Sequence, residues 1–316
     1  MSNSIASIGS TAVVGSAAVP VTALGLGVAA LSAGAGQPEA TAAVAAAVDA
    51  GVRYFDAAPY YGLGQGELAL GEALRELGRN GMTLSTKVGR TVDPATREWH
   101  FDYSRDAVLR GLEASLDRLG VSAVDIVYVH DPDSHEREAL EGALPALLEL
   151  REEGVIGAVG AGMNQWQMPL RFVRELDLDL LLIAGRYSLL DTGAASELFP
   201  ECRARGVGIV LGGVYNSGVL ANPRDGASFD YRPASAEHLH RARAIEVVAR
   251  RHGVELRDVA LAFSRAHPDV TSVLLGASGS QQVRDNVAAW SAEVPSELWA
   301  ELVELGLLPE GAVVPA

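Results

Sequence analysis

Four polar side chains at the ends of short apolar runs could together transfer a proton. Asp56 ends one run and Tyr61 follows it by five residues, while two later runs end in a lysine and a histidine, Lys87 and His130. Because a lysine is costly to bury without a partner, Asp56 is the expected counter-charge of Lys87. A cation beside Tyr61 would lower its pKa from the usual value of about 10, so that Tyr61 could exchange a proton with an oxygen held by His130. The same spacing also fits a buried Asp–Lys pair with the tyrosine and histidine only filling its rim.

The order of the predicted elements indicates how these side chains would be brought together. Eight apolar runs alternate with helical patterns, and most of the runs lack a polar face, as in parallel strands covered by helices. The predicted strands are 22–27, 54–56, 83–87, 125–130, 154–160, 180–184, 207–212 and 271–276. The predicted helices are 39–50, 67–77, 104–119, 139–153, 166–175, 193–205, 236–266 and 280–290. Two longer irregular segments, 90–103 and 214–233, are expected to be binding loops.

This alternation favours a (β/α)8 TIM barrel, with a doubly wound open sheet as the competing arrangement. The barrel would form a single domain over residues 22–316, after an N-terminal tail over residues 1–21. The carboxyl ends of the strands gather on one face of such a barrel. That face would therefore carry Asp56, Lys87 and His130 together.

Composition excludes several classes of function. The chain has 40 Asp and Glu residues against 25 Lys and Arg, and its formal net charge is −15. This balance argues against binding to nucleic acid or to an anionic membrane surface. The single cysteine, Cys202, excludes an internal disulfide and a cysteine-based zinc site. Because the apolar stretch 12–35 lacks both the basic start of a signal peptide and the hydrophobicity of a membrane span, we expect a cytoplasmic protein.

Three motifs resemble binding sites but have simpler explanations. Residues 25–30 and 64–69 fit a dinucleotide-binding glycine pattern. The first is followed by Gly34, Gly36 and Pro38, which would break the required helix, and after the second the next strand ends in a lysine instead of an acid. The segment His130-Asp-Pro-Asp-Ser-His135 could supply metal ligands, but no second cluster completes the set. A turn is the simpler interpretation, and we expect no metal.

Three ordered segments carry a family resemblance. Residues 51–62 read GVRYFDAAPYYG, residues 85–89 read STKVG and residues 127–131 read VYVHD. They resemble the signatures of the second, third and fourth strands of the aldo-keto reductases. The resemblance implies a (β/α)8 barrel that binds a nicotinamide cofactor without a Rossmann domain. It also implies that Tyr61 donates or accepts the proton, that Lys87 (held by Asp56) tunes the acidity of Tyr61, and that His130 orients the substrate oxygen.

Further segments are similar to one branch of that family, the bacterial aldose 1-dehydrogenases of the L-fucose and D-threo-aldose type. These segments are FDYSRD at 101–106, HDPD at 130–133, GMNQW at 162–166, AGRYSLL at 184–190 and GGVYNSG at 212–218. In that branch a sugar hemiacetal is oxidised at C1 to a lactone. The resemblance therefore implies oxidation of a small-molecule aldose, of the L-fucose or D-arabinose type, with NAD or NADP.

The same resemblance implies where the cofactor binds. Asn164 matches the residue that binds the nicotinamide carboxamide, and Gln282 and Asn286 match positions that reach the adenine. The remaining implied cofactor residues follow the last two predicted strands, where barrels often bind phosphate: Asn216, Ser217, Gly218, Gly276, Ala277, Ser278 and Ser280. No lysine or arginine lies between Gly276 and Val283, where strict NADP users place a partner for the 2′-phosphate, and this favours NAD.

Three side chains are candidates for the substrate walls, namely Tyr60, Trp99 and His100, because an aromatic platform suits the apolar face of a sugar. Other functions fit the same residues. Hydride transfer is reversible, so an NADPH-dependent carbonyl reductase is the main alternative. A Schiff-base lyase that uses Lys87 and a non-catalytic redox sensor that binds the cofactor are more remote alternatives.

Overall fold

Eight parallel strands close into a barrel in the computed structural model, which describes residues 7–33, 36–79, 81–93 and 96–315. The strands are β1 (Thr11–Val14), β2 (Val19–Thr22), β3 (Leu24–Gly27), β4 (Tyr54–Asp56), β5 (Thr83–Val88), β6 (Arg90–Val92), β7 (Trp99–Phe101), β8 (Ile126–His130), β9 (Ala158–Met163), β10 (Leu180–Ala184), β11 (Gly208–Gly212), β12 (Ser228–Phe229), β13 (Arg232–Pro233) and β14 (Val270–Gly276). The barrel order is β3-β4-β5-β8-β9-β10-β11-β14, and β14 pairs with β3 to close it. This closure confirms the predicted TIM barrel and excludes the open sheet.

Helices surround the barrel between the strands. They are α1 (Gln37–Asp49), α2 (Gln65–Leu77), α3 (Arg105–Leu119), α4 (Glu136–Glu138), α5 (Leu144–Glu152), α6 (Gln167–Glu175), α7 (Ala194–Arg205), α8 (Ala236–Arg251), α9 (Leu256–Ala266), α10 (Ser280–Trp290) and α11 (Ser296–Glu304). A π-helical turn, Ala139–Ala143, joins α4 to α5, and a 3-10 helix, Val28–Ala33, follows β3. None of the helices in the described ranges is long and apolar enough to cross a membrane.

Several predicted boundaries are corrected by local backbone geometry. The single helix predicted over 236–266 is two helices, α8 and α9, because Gly253 adopts a positive φ of 72° just after α8. The strand predicted over 154–160 begins only at Ala158, since Gly154, with φ 73°, turns the chain out of the preceding helix. Each predicted binding loop contains a two-stranded ribbon, β6–β7 in one and β12–β13 in the other. Gly34, one of the expected helix-breaking residues, lies outside the described residues.

A hairpin, β1–β2, covers the amino-terminal end of the barrel. Val14, Val19 and Val21 belong to the same buried cluster as Tyr54 and Ile126 inside the barrel. The sequence pattern predicted a tail here and no hairpin. The hairpin forms because the barrel interior offers apolar surface to the three valines. The division into a tail over 1–21 and a barrel over 22–316 stays a prediction, and residues 1–6 and 316 lie outside the described chain.

We expect the hairpin to contribute to the stability of the barrel. Val21 is fully buried, so Val21→Ala should lower the free energy of unfolding by about 2 kcal/mol, the loss expected for two buried methyl groups and the cavity left behind. Val13, on the same hairpin, is 65% exposed, and Val13→Ala should change that free energy by less than about 0.5 kcal/mol. Urea denaturation measures both variants. Equal effects would contradict a packed hairpin.

Candidate active site

A buried ion pair lies at the centre of the candidate site. Lys87 Nζ is 2.6 Å from Asp56 Oδ2, and the two side chains are 1% and 3% exposed. Lys87 Nζ also donates a hydrogen bond to the Ala57 carbonyl at 2.9 Å, and Ser85 Oγ donates one to Asp56 Oδ1 at 2.7 Å. Asp56 ends β4 beside Ser85 of β5, so the barrel register itself aligns these groups. The extra hydrogen bonds help offset the cost of removing both charges from water.

Tyr61 lies against this pair in the loop after β4. Lys87 Nζ is 4.6 Å from the centroid of the Tyr61 ring. The Tyr61 carbonyl accepts a hydrogen bond from the Gly66 amide at 3.1 Å, which fixes the loop against the start of α2. A Cβ at Gly66 would lie 3.3 Å from the Tyr61 Cβ, so glycine allows this close packing. The structure thus brings Asp56, Lys87 and Tyr61 together as predicted.

The pKa values of the pair and of the tyrosine reflect competition between burial and charge. Burial raises the pKa of Tyr61, the positive charge of Lys87 lowers it, and burial prevails. The expectation that Lys87 brings this pKa below its ordinary value was therefore wrong, although the cation acts in the expected direction. Burial lowers the pKa of Lys87, but Asp56 and Tyr61 together raise it above its ordinary value. At neutral pH the site therefore holds an ammonium group beside a neutral phenol.

His130 ends β8 and faces Tyr61. Its ring centroid is 5.9 Å from that of Tyr61 and 6.2 Å from that of Tyr60, both in edge-to-face orientation. Burial, together with the charges of Lys87 and Arg90, holds the pKa of His130 well below its ordinary value. Its Nδ1 atom is buried and has no hydrogen-bond partner within the described part of the chain. The neutral imidazole can donate one hydrogen bond and accept another, which suits it to hold a substrate oxygen.

An arginine that the sequence analysis missed forms one wall of the site. The Arg90 guanidinium carbon lies 3.5 Å from the centroid of the Tyr60 ring and 4.8 Å from that of Trp99. Arg90 Nη1 is 2.8 Å from Asp131 Oδ2. Tyr60 and Trp99, both predicted substrate residues, meet edge-to-face with their centroids 5.2 Å apart. The sequence signal for Arg90 was its position three residues after the strand-end lysine.

His100, the third predicted substrate residue, lies on β7 opposite Thr91 and is exposed. It lines a cavity of about 290 Å³ that also reaches Lys87 and Arg90. Because the same cavity is lined by Arg110, Gly111 and Ala114 of α3, His100 lies on the α3 side of the ribbon, and the structure does not group it with Tyr60 and Trp99.

A chain of polar contacts joins this wall to the predicted nicotinamide residue. Asp131, which has a positive φ of 44°, accepts a hydrogen bond at Oδ1 from Asn164 Nδ2 at 3.2 Å. The Asn164 carbonyl accepts a hydrogen bond from Arg186 Nε at 2.6 Å. Arg186 also pairs with Asp191 at 3.0 Å and with Asp230 in the loop after β11. The loops after β8, β9, β10 and β11 are thus connected at the carboxyl face of the barrel.

Asn216, Ser217 and Gly218 form a turn after β11. All three have positive φ angles, of 45°, 59° and 101°. Asn216 Nδ2 donates a hydrogen bond to the Gly185 carbonyl at 3.1 Å, whereas its buried Oδ1 has no partner among the described residues. Ser217 Oγ accepts a hydrogen bond from the Tyr231 amide at 3.0 Å. An unpartnered buried oxygen is a position at which a bound group could donate a hydrogen bond.

The second predicted cofactor segment follows β14, the barrel neighbour of β11. Its residues are Gly276, Ala277, Ser278, Ser280, Gln282 and Asn286. Ser278 donates two hydrogen bonds to Gln282 Oε1, from its amide at 2.9 Å and from its hydroxyl at 3.0 Å. Asn286 Nδ2 donates one to the Gly276 carbonyl at 3.1 Å, and Ser280 begins α10. The two segments therefore lie on adjacent strand ends and fit an extended dinucleotide, although their contacts with one stay a prediction.

Metal binding has no geometric support in the part of the chain that the structure describes, where no three His, Cys, Asp or Glu side chains are grouped to hold an ion. Two side chains of the segment 130–135, which was predicted to be a turn, have other partners. Asp131 pairs with Arg90, and His135 contacts the rings of Phe101 and Tyr103.

Comparison with known proteins agrees with this geometry. The profile of the Aldo/keto reductase family matches residues 23–306. The chain is 39% identical to pyridoxal 4-dehydrogenase of Microbacterium luteolum, over 93% of this chain and 96% of that protein. It is 38% identical to D-threo-aldose 1-dehydrogenase of a Pseudomonas species, over 86% and 89%. The structure of the aldo-keto reductase AKR11C1 from Bacillus halodurans, in its holo form, superposes with a TM-score of 0.78 at 25% identity, covering 93% of this chain and 95% of that one.

Three findings lead to one assignment. They are the closed barrel, the buried Asp–Lys pair beside a tyrosine and a histidine, and the family match over most of the chain. This chain belongs to the aldo-keto reductase family and is an NAD(P)-dependent oxidoreductase.

Proposed function

We propose that this protein oxidises the cyclic hemiacetal of an aldose at C1 and produces the lactone, with NAD⁺ as the preferred oxidant. The observation that carries the proposal is that the rings of Tyr61 and a neutral His130 meet edge-to-face, with centroids 5.9 Å apart, beside the buried Lys87–Asp56 pair, so that both could reach one substrate oxygen. Similarity to D-threo-aldose 1-dehydrogenase supports an aldose as the substrate.

Each of the four central residues has its own role in the proposed oxidation. A bound nicotinamide supplies the hydride acceptor at its C4 atom. As the C1–H bond breaks, Tyr61 takes the proton of the C1 hydroxyl and the C1–O double bond of the lactone forms. His130 holds that oxygen through a hydrogen bond and stays neutral, since its pKa is low. Lys87 stabilises the tyrosinate that must be present before the proton is taken, and Asp56 keeps Lys87 in position.

The wall formed by Tyr60, Arg90 and Trp99 supports a polyhydroxylated ring as substrate. The aromatic rings can pack on the apolar face of a sugar, and the guanidinium group can donate hydrogen bonds to its hydroxyls. The same wall also suits the flat pyridine ring of pyridoxal, the substrate named for the relative from Microbacterium. Pyridoxal is therefore the second candidate substrate.

The first test is the formation of reduced cofactor, measured by absorbance at 340 nm. We expect a signal with NAD⁺ and L-fucose, D-arabinose or a related aldose. Formation of reduced cofactor with pyridoxal and with none of the aldoses would identify pyridoxal as the substrate instead of a sugar. No change in absorbance with any of these substrates, together with oxidation of NADPH when simple aldehydes are added, would indicate a carbonyl reductase. Cofactor binding without turnover in either direction would indicate a sensor, and a borohydride-trapped adduct on Lys87 would indicate a lyase.

Removing the phenol should remove the chemistry and leave binding in place. Tyr61→Phe should lower kcat by roughly 10²-fold or more, the usual scale for loss of a general acid or base, with cofactor Kd nearly unchanged. Tyr187→Phe is the matched control, because Tyr187 is also buried but contacts Phe199 and Phe263, away from the site. Steady-state kinetics and a cofactor titration distinguish the two variants. Wild-type turnover in Tyr61→Phe would overturn the role given to Tyr61.

The rate of oxidation should depend on pH through Tyr61. Proton acceptance requires the tyrosinate, and burial keeps the pKa of Tyr61 above its ordinary value. The tyrosinate fraction therefore increases about tenfold per pH unit, and log kcat/KM for the aldose should increase from about pH 7 to about pH 10. Carbonyl reduction, which uses the neutral phenol, should stay nearly flat over the same range. A flat profile for oxidation would exclude Tyr61 as the group that titrates.

A further inference from the structure

A carboxylate occupies the amino-terminal end of α10, the helix that follows the last barrel strand. Glu39, in the first turn of α1, accepts two hydrogen bonds at Oε1 from Ser280, one from its amide at 2.6 Å and one from its hydroxyl at 2.8 Å. A Cβ at Gly279 would lie 2.7 Å from the same oxygen. The glycine therefore leaves the space into which the carboxylate fits.

The Glu39 carboxylate is held in its charged form. Hydrogen bonds from the Ser280 hydroxyl and amide lower the pKa of Glu39, and the positive charge of Arg284 lowers it further. The amide donor at the start of a helix also favours a negative charge at that position. One fixed negative charge therefore lies at the end of α10, on donors that a phosphate group could otherwise use.

This position matters for the cofactor because barrels commonly bind phosphate with the loops after their last two strands and with a helix amino terminus. The loop between Gly276 and Val283 contains no lysine or arginine that could neutralise an additional phosphate. A phosphate on the adenosine ribose would thus meet a carboxylate. A nearby cation is Arg284 of α10, whose Nη2 lies 3.4 Å from Ser280 Oγ and whose charge already acts on Glu39. A ribose 2′-hydroxyl could instead donate a hydrogen bond to the carboxylate, as in other NAD-binding sites that use an acidic residue.

We propose that Glu39 is the residue that selects NAD over NADP in this protein. Its carboxylate occupies the Ser280 donors, repels a 2′-phosphate and accepts a hydrogen bond from a 2′-hydroxyl. The proposal rests on the proposed function only in requiring that the dinucleotide lie along the loops after β11 and β14.

Cofactor titration tests this without relying on turnover. Dissociation constants for NAD⁺ and NADP⁺ are measured by isothermal titration calorimetry at one ionic strength. The wild-type protein should bind NAD⁺ more tightly. Glu39→Gln should lower the ratio of the NADP⁺ Kd to the NAD⁺ Kd by about tenfold or more, mainly through tighter binding of NADP⁺, because removal of a charge near a phosphate has an effect of at least this size.

Two further variants make the test specific. Asp49→Asn is the matched control, since Asp49 is an exposed carboxylate at the other end of α1 and its loss changes the net charge equally; its Kd ratio should stay within about twofold of wild type. Gly279→Ala keeps the charge of Glu39, but the added methyl group displaces the carboxylate from Ser280. The ratio of the NADP⁺ Kd to the NAD⁺ Kd should therefore decrease in this variant also. This second variant remains informative if Glu39→Gln does not fold.

The outcomes separate this inference from the proposed function. An unchanged ratio in folded Glu39→Gln, or an equal change in Asp49→Asn, would overturn the role of Glu39 while leaving the oxidoreductase intact. Tighter binding of NADP⁺ by the wild-type protein would also overturn it. If the wild-type protein bound neither dinucleotide, the proposed function itself would fail.

Discussion

The structure depends most on the buried ion pair between Lys87 and Asp56. Both charged groups lie inside the barrel, where burial of an unpaired charge would cost several kcal/mol. Each therefore needs an opposite charge and hydrogen-bond partners among its neighbours. Ser85 and the Ala57 carbonyl complete the hydrogen bonding. The register of β4 with β5 places Asp56 beside Ser85, two residues before Lys87 on the same strand. The ammonium group of Lys87 then places a positive charge beside Tyr61 and near His130, in the buried interior of the site.

The positive charge of Lys87 acts on the pKa values of Tyr61 and His130. It opposes the effect of burial on Tyr61, which stays a phenol, and it reinforces the effect of burial on His130, which stays neutral. In the proposed reaction the proton would therefore move through Tyr61, and His130 would hold the substrate oxygen without competing for the proton. The equilibrium direction of hydride transfer is then set by the substrate and the cofactor, while the pH sets the fraction of Tyr61 that can accept or donate the proton.

Around this centre, the loops proposed to contact substrate and cofactor are linked by ion pairs and hydrogen bonds as well as by apolar packing. Arg90 and Asp131 connect the aromatic wall to Asn164, and Arg186 extends the connection to the loop after β11. Glu39 and Ser280 form a separate polar contact at the end of α10. The aromatic wall and the loops after β8, β9, β10 and β11 thus belong to one polar network at the carboxyl face, opposite the apolar hairpin that covers the other end.

The sequence alone predicted the barrel and the grouping of its four central residues. Apolar runs covered by helices have a distinctive pattern, Asp56, Lys87 and His130 each end a predicted run, and Tyr61 follows the first of these runs closely. It could not determine contacts between distant segments. Barrel closure, through pairing of β14 with β3, brings Glu39 to Ser280 across 241 positions, and no local pattern marks that contact. The stacking of Arg90 on Tyr60 and the burial of the valines of β1 and β2 likewise exist only once the chain has folded back on itself. The sign of the pKa shift of Tyr61 also required the tertiary structure, because burial, which a sequence shows poorly, outweighs the neighbouring charge that the sequence shows well.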